Sequence, residues 1–224
     1  YCGDEVMNDA AVVLHLGGPI DLLFDLTHGT EPLGLELEVT GSAGNVITEI
    51  DGLPALQVWT EQLGGVVSNN IDDAATWALG MQLPPGEGSY EGPITRAVFG
   101  FQPENQALVM QAPIPTGTRV QLCHRTPRAV RDRAVAMARR LAARLEGAEP
   151  LMTIAFECAA RPRPFLGDEA AAEEIVTMQG ILGAEAPWLG FYAWGEIAPV
   201  GRSTRFHNYT FPLAVLVARP PSDP

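Results

Sequence analysis

Apolar and polar positions alternate with a period of two in several stretches of this chain. Leu35, Leu37 and Val39 alternate with Glu36 and Glu38 between Gly34 and Thr40, the pattern of a strand with one wet face. The turn residues Gly41-Ser42-Ala43-Gly44-Asn45 follow, and Val46–Ile50 supplies a partner strand, so a hairpin is expected. The run Ala11–Leu16, ended by Gly17-Gly18-Pro19, reads as a short apolar strand. Gln106–Gln111, Thr118–Leu122, Leu151–Glu157, Trp188–Trp194 and the long apolar run Phe206–Val217 read as further strands.

Helical spacing is clearest from Pro127 to about Glu146. Thr126 is placed as N-cap, Pro127 takes the first position and Gly147 ends the helix. Val130, Ala134, Met137, Leu141 and Leu145 make its apolar stripe. A short helix is expected to open at Asp51-Gly52-Leu53-Pro54, with Leu56–Leu63 as its body. Residues 64–95 read as loops with one helical turn around Ala74–Leu79. Asp168–Leu182 is a third helix, with Asp168 as N-cap and Glu169, Glu173 and Glu174 near its positive end. Its place between Leu151–Glu157 and Trp188–Trp194 predicts a right-handed crossover joining parallel strands. The expected fold class is α+β, with mixed β-sheets flanked by helices, the strand–helix–strand crossover and a C-terminal antiparallel hairpin.

Charge and composition narrow the function. The net charge of −13 opposes nucleic acid as a partner. All 14 cationic side chains are arginine, so neither Schiff-base chemistry nor a phosphate loop with its lysine is available within this chain. Arg128, Arg131, Arg133, Arg139, Arg140 and Arg144 flank the stripe of the long helix and read as a solvated face or one paired with this protein's own acidic elements. No apolar run approaches the roughly 20 residues of a membrane span, and three widely spaced cysteines do not make a disulfide framework. Dispersed histidines without CxxC, HxH or HExxH spacing leave no metal motif.

Open sheets bind ligands beyond the carboxyl ends of their parallel strands. Cys158 and Arg161 follow the first strand of the crossover unit, and Gly195 and Glu196 follow the second. The last strand should return antiparallel, bringing His207 and Asn208 beside Glu196. One rim would then hold a thiol, a guanidinium, a carboxylate, an imidazole and an amide. Arg161 would clamp a carboxylate and Glu196 an ammonium group, which suits a zwitterion such as an amino acid. Two other readings use the same residues. His207 or His28 would be the axial ligand of a haem, or Cys158, His207 and Glu196 or Asn208 would form a thiol-nucleophile triad. Each residue also has a bland reading: an inert buried thiol, a structural ion pair of Arg161 with Glu196, and close packing at Gly190 and Gly195.

Three stretches carry a family resemblance: VTGSAGNVITEIDGLPALQVW (residues 39–59), AFECAARPRPFLG (155–167) and GFYAWGEIAPVGRSTRFHNYTFPLAVL (190–216). They resemble the FIST sensory-domain family, above all its C-terminal half. The resemblance implies the end of the N-terminal FIST region over 1–40, the C-terminal domain over 41–218 and a disordered tail over 219–224. It implies a cytoplasmic sensory domain, not an enzyme, that binds a small ligand and couples to a signalling output protein. Amino acids are the ligands suggested for the family, and some relatives are reported as haem-binding nitric-oxide sensors. The motif positions carried over are Cys158, Arg161, Gly195, Glu196, His207, Asn208 and Thr210. No cofactor, metal, nucleic acid or membrane is implied by the leading reading, with haem as the alternative.

Overall fold

The computed structural model describes residues 3–63, 75–83, 92–161 and 165–219. The chain order is β1 (Ile20–Thr27), β2 (Thr30–Ala43), β3 (Val46–Ile50), β4 (Leu53–Pro54), α1 (Ala55–Gln62), β5 (Trp77–Met81), β6 (Ile94–Gln102), β7 (Ala107–Met110) and β8 (Arg119–Arg125). Then come α2 (Pro127–Arg144), β9 (Pro150–Cys158), α3 (Asp168–Leu182), β10 (Trp188–Ala193), β11 (Glu196–Val200), β12 (Ser203–His207) and β13 (Phe211–Ala218). The fold is α+β, in two joined lobes.

The first lobe is a closed antiparallel ring. Ladders run β2–β8, β8–β5, β5–β6, β6–β7 and β7–β3, and β3 returns to β2. Closure is possible because the 14-residue β2 pairs with β8 through Thr30–Glu38 and with β3 through Val39–Ala43, its register shifting on the way. The alternation read in the sequence meets the barrel interior at Val39, which is fully buried. Ile47, Ile50, Leu79, Leu108, Met110 and Val120 fill that interior. α1 joins the same core through Leu56, Val58 and Trp59, and Leu56 N–H donates to the Gln106 carbonyl.

The second lobe is a four-stranded sheet in the order β1-β13-β9-β10. β9 and β10 are parallel, joined across α3, and β13 lies antiparallel on the other side of β9. α2 and α3 pack on one face, burying Ala134, Met137, Leu141, Met178 and Leu182 against Phe211, Leu213, Val215 and Val217. α2 starts as its sequence directs, since the Thr126 hydroxyl accepts from Ala129 N–H with Pro127 next. The lobes meet at the β1–β2 turn. Gly29 has φ of 69°, and a Cβ there would stand 2.4 Å from the Val130 Cα of α2, so only glycine fits.

Several expectations are corrected. Ala11–Leu16 forms no strand: the run finds no ladder partner, and Val12, Val13 and Leu14 stand exposed. Trp77–Met81 is a strand and not a helical turn, because β8 and β6 pair with it on both sides; Ala74 lies outside the described residues. α3 is capped by Gly167 at φ of 81°, with Asp168 as its first residue. The single strand expected over Phe206–Val217 is two. Tyr209 adopts φ of 63°, which breaks the extended run, sending β12 to pair with β11 and β13 into the sheet. Arg219 at the expected tail is held by Asp21 and by the Pro19 carbonyl; residues 220–224 lie outside the described ones.

Four of the α2 arginines are engaged within the protein. Arg131 pairs with Glu173, Arg140 with Asp25 and Arg128 with Asp132, while Arg144 donates to the Phe24 carbonyl. Among the described residues no helix is long and apolar enough to cross a membrane.

Candidate functional site

A cavity of about 460 Å³ opens between the two lobes, at the carboxyl ends of β9 and β10. The cavity lies at the edge to which the crossover argument pointed. Barrel strand β6 supplies one wall through Ala97–Phe101, with Ala75 and Gln111 beside it; Cys158–Ala160, Ala193, Trp194 and Tyr209 supply the other. The loop after β9 is fixed by backbone: Cys158 N–H donates to Thr210 O and Ala159 N–H to Ala193 O. A shift in register between Val98 and Gly100 on β6 turns the Phe99 ring outward. That ring meets Trp194 edge to face at 6.4 Å, over the cavity mouth.

The His-Asn-Tyr-Thr stretch is the joint between lobes. Asn208 Oδ1 accepts from Ala97 N–H, its amide donates to Gln111 Oε1, and its carbonyl accepts from the Thr95 hydroxyl. Gln111 in turn donates to the Trp194 carbonyl. His207 faces Glu196 in the β11–β12 register, and its Nε2 lies 3.2 Å from Ala198 O. Gly195 answers to packing, since a Cβ there would meet the Phe206 ring at 2.5 Å. Gly190 does likewise, against the Ala155 carbonyl at 2.2 Å.

Glu196 and Cys158 do come together. Glu196 is buried, and its Oε2 accepts from the Thr210 hydroxyl at 2.9 Å and from Thr210 N–H at 3.3 Å. Its Oε1 has no nitrogen or oxygen donor among the described residues. The Cys158 thiol, a weak donor, neighbours the carboxyl. Burial pushes the Glu196 carboxyl up to about 7, against the pull of Thr210. Burial, and then the Glu196 charge, push the Cys158 thiol up to about 11.

Arg161 is placed elsewhere than the rim arrangement requires. It is fully buried under the helices, where Nη1 donates to Glu157 at 3.0 Å and Nη2 to Glu174 at 3.3 Å. Its partner is therefore not Glu196, and its terminal nitrogens are already engaged. Burial outweighs Arg161's attraction at both carboxyls: Glu157 is pushed up to about 7, and Glu174 is raised as well.

The residue that sequence reasoning missed is Arg125, the last residue of β8. It is 1% exposed, and its guanidinium lies between the rings of Phe165 at 4.3 Å and Tyr209 at 4.1 Å. Nη1 donates to the Ala75 carbonyl, but Nε and Nη2 have no partner among the described residues. Burial lowers its affinity for a proton to about 10, while the Tyr209, Cys158 and Glu196 groups act in the other direction. Ala75, Cys158 and Tyr209 line the cavity, so Arg125 sits one layer behind its wall. The only sequence signal was its position, ending a strand just before a capped helix.

Haem does not fit these residues. Neither His28 nor His207 lines the cavity; His28 Nδ1 accepts from Thr30 N–H, and its Nε2 faces the backbone of Gly92. A thiol nucleophile is opposed too, since a thiol at about 11 stays protonated at neutral pH and burial holds His207 down to about 4. Among the described residues no cluster of His, Cys, Asp and Glu is able to hold a metal ion.

Residues 55–199 match the FIST C domain model, and residues 1–53 match the FIST N domain model. An uncharacterized protein of Mycobacterium bovis is 29% identical over 207 residues, covering 86% of this chain and 50% of the relative. One from Mycobacterium tuberculosis is 30% identical over 202 residues, with the same coverage. The chain thus spans about half the length of the curated relatives it matches. No solved structure matches it.

Proposed function

From the premise that this chain belongs to the FIST family, whose domains are sensory modules for small ligands, we propose that it binds an amino acid or similar zwitterion at the cavity between its lobes. The observation that carries the reading is the pair of incomplete groups behind the cavity wall. Arg125 lacks acceptors on Nε and Nη2, and Glu196 lacks a full donor on Oε1. Nε and Nη2 form one edge of the guanidinium fork, which matches the two oxygens of a carboxylate. An ammonium group matches the open carboxyl oxygen. Unsatisfied buried polar groups cost about 1–3 kcal/mol each, so a ligand completing both gains affinity from a defect already present. The clamp expected of Arg161 thus passes to Arg125, while Glu196 keeps its role.

The charged end of the ligand enters past Cys158 and Tyr209, and its body fills the cavity. Because Asn208, Tyr209 and Thr210 tie β6, Arg125 and Glu196 together, occupancy would alter how the lobes are held. That is a physical basis for passing a signal to an output protein, and the cytoplasm is the compartment this reading assigns. Thermal unfolding against a panel of free amino acids tests it. The expected result is a saturable rise in Tm, growing with the logarithm of concentration, absent for the amine and acid analogues and absent in Arg125→Met. A panel without any response, or a response surviving in both Arg125→Met and Glu196→Gln, overturns it.

A further inference from the structure

The walls of this cavity select the ligand's side chain, an inference that rests on the zwitterion reading above. Apart from backbone and the Cys158 thiol, the described lining offers three polar groups: the Gln111 amide, occupied at both ends by Asn208 and by the Trp194 carbonyl, the Tyr209 hydroxyl and the Trp194 indole N–H. The Cys158 thiol is turned to Glu196. A charged ligand side chain would find no counter-charge among the described lining residues, and a polar one few partners for the water it loses, at a cost of about 1–3 kcal/mol. Apolar surface is plentiful instead. Val98 and Phe101 line the interior of the cavity, and Phe99 and Trp194 stand over its mouth.

The mouth holds the decisive feature. Phe99 is 57% and Trp194 64% exposed, two large rings left facing water within contact of each other. The Phe99 position follows from a bulge and the Trp194 position from the Gln111 bond, so both rings are aimed by built features of the backbone. A volume of about 460 Å³ lies within the range of small-molecule sites and exceeds what a methyl or hydroxymethyl side chain would fill. We infer that the site takes amino acids with large apolar side chains, aromatic or branched aliphatic, the side chain packed against the Phe99–Trp194 pair.

Calorimetric titration of the full chain with L-Phe, L-Trp, L-Leu, L-Ala, L-Ser, L-Asp and L-Lys isolates the side chain, because every probe shares the same ammonium and carboxylate. The expected order places Phe, Trp or Leu at least tenfold tighter than Ala, Ser, Asp and Lys. Phe99→Ala and Trp194→Ala should each weaken the tightest probe several-fold to tenfold while leaving Arg125-dependent binding of the smaller ones in place. Both positions are exposed, so these variants should keep the wild-type Tm, which is recorded alongside. Tightest binding by Asp, Lys or Ser that still depends on Arg125 overturns the side-chain inference and leaves the zwitterion site standing. Tight binding of Phe or Trp unmoved by either mouth variant also overturns it. Failure of every probe to bind removes both readings together.

Discussion

Arg125 and Arg161 are both buried almost completely, yet the protein surrounds them in opposite ways. Arg161 lies against two carboxylates and over the Phe211 ring, joining β9 to α3. Arg125 lies between two aromatic rings, and no carboxylate forms an ion pair with it among the described residues. A buried charge is tolerated when paired and hydrogen-bonded. Arg161 is paired at both terminal nitrogens, with only its Nε left without a partner among the described residues, and reads as architecture. Arg125 meets that rule only in part, and the missing partners face the layer behind a cavity. The comparison teaches that the empty fork, rather than burial or charge alone, marks a binding arginine.

The sharpest way to break the comparison is to remove each cation. Arg161→Ala strands Glu157 and Glu174 without their partner and should cost about 3–5 kcal/mol of stability in denaturant unfolding. Arg125→Met removes two unsatisfied donors along with the ring contacts, so its stability should change by less than about 2 kcal/mol. Its ligand affinity should fall about 30-fold or more. Equal destabilisation by both substitutions would make Arg125 a structural residue and end the contrast.

A smaller effect sharpens it through pH. Carboxyls ordinarily near 4.5 are held at about 7 in Glu157 and Glu196 by burial. The folded state therefore keeps protons that the unfolded chain loses, and the stability present below about 4.5 is lost as pH rises towards 7. His28 and His207 run the other way: burial lowers them from 6.5 to about 3 and about 4, so their contribution is present above 6.5 and lost as pH falls. Between 6.5 and about 7 the two effects oppose one another, the folded carboxyls losing protons while the unfolded histidines still do so, and the carboxyl share of the pH slope is read from the difference between wild type and Glu196→Gln. Glu196→Gln should remove a downward slope of up to about 1.4 kcal/mol per pH unit between about 4.5 and 7, and an ammonium ligand bound near pH 6.5 should release a proton from Glu196. Calorimetry in buffers of different ionisation enthalpy measures the release; zero release would separate Glu196 from the ligand.

The smallest effect is expected at the surface. Arg131 pairs with Glu173 with both side chains substantially exposed, and Arg131→Ala should change stability by less than about 1 kcal/mol in the same unfolding assay. A larger loss would mean that arginines on α2 carry structural weight comparable to the buried pair.

Local pattern told a good deal about this molecule. Alternation marked β2 and β3, the Thr126-Pro127 start marked α2, and the order of β9, α3 and β10 implied parallel strands with Cys158 and Glu196 brought together beyond their ends. These follow from side-chain periodicity, capping and the handedness of crossovers, all properties of neighbouring residues. Tertiary structure alone decided that β2 bends to close a barrel, that Tyr209 breaks the last apolar run, and that Arg161 turns to Glu157 and Glu174 while Arg125 turns towards Tyr209. Arg161 finds Glu157 four residues away and Glu174 on the next helix, whereas Arg125 is enclosed by Phe165 and Tyr209 from elements distant in the chain, and no local spacing encodes that enclosure.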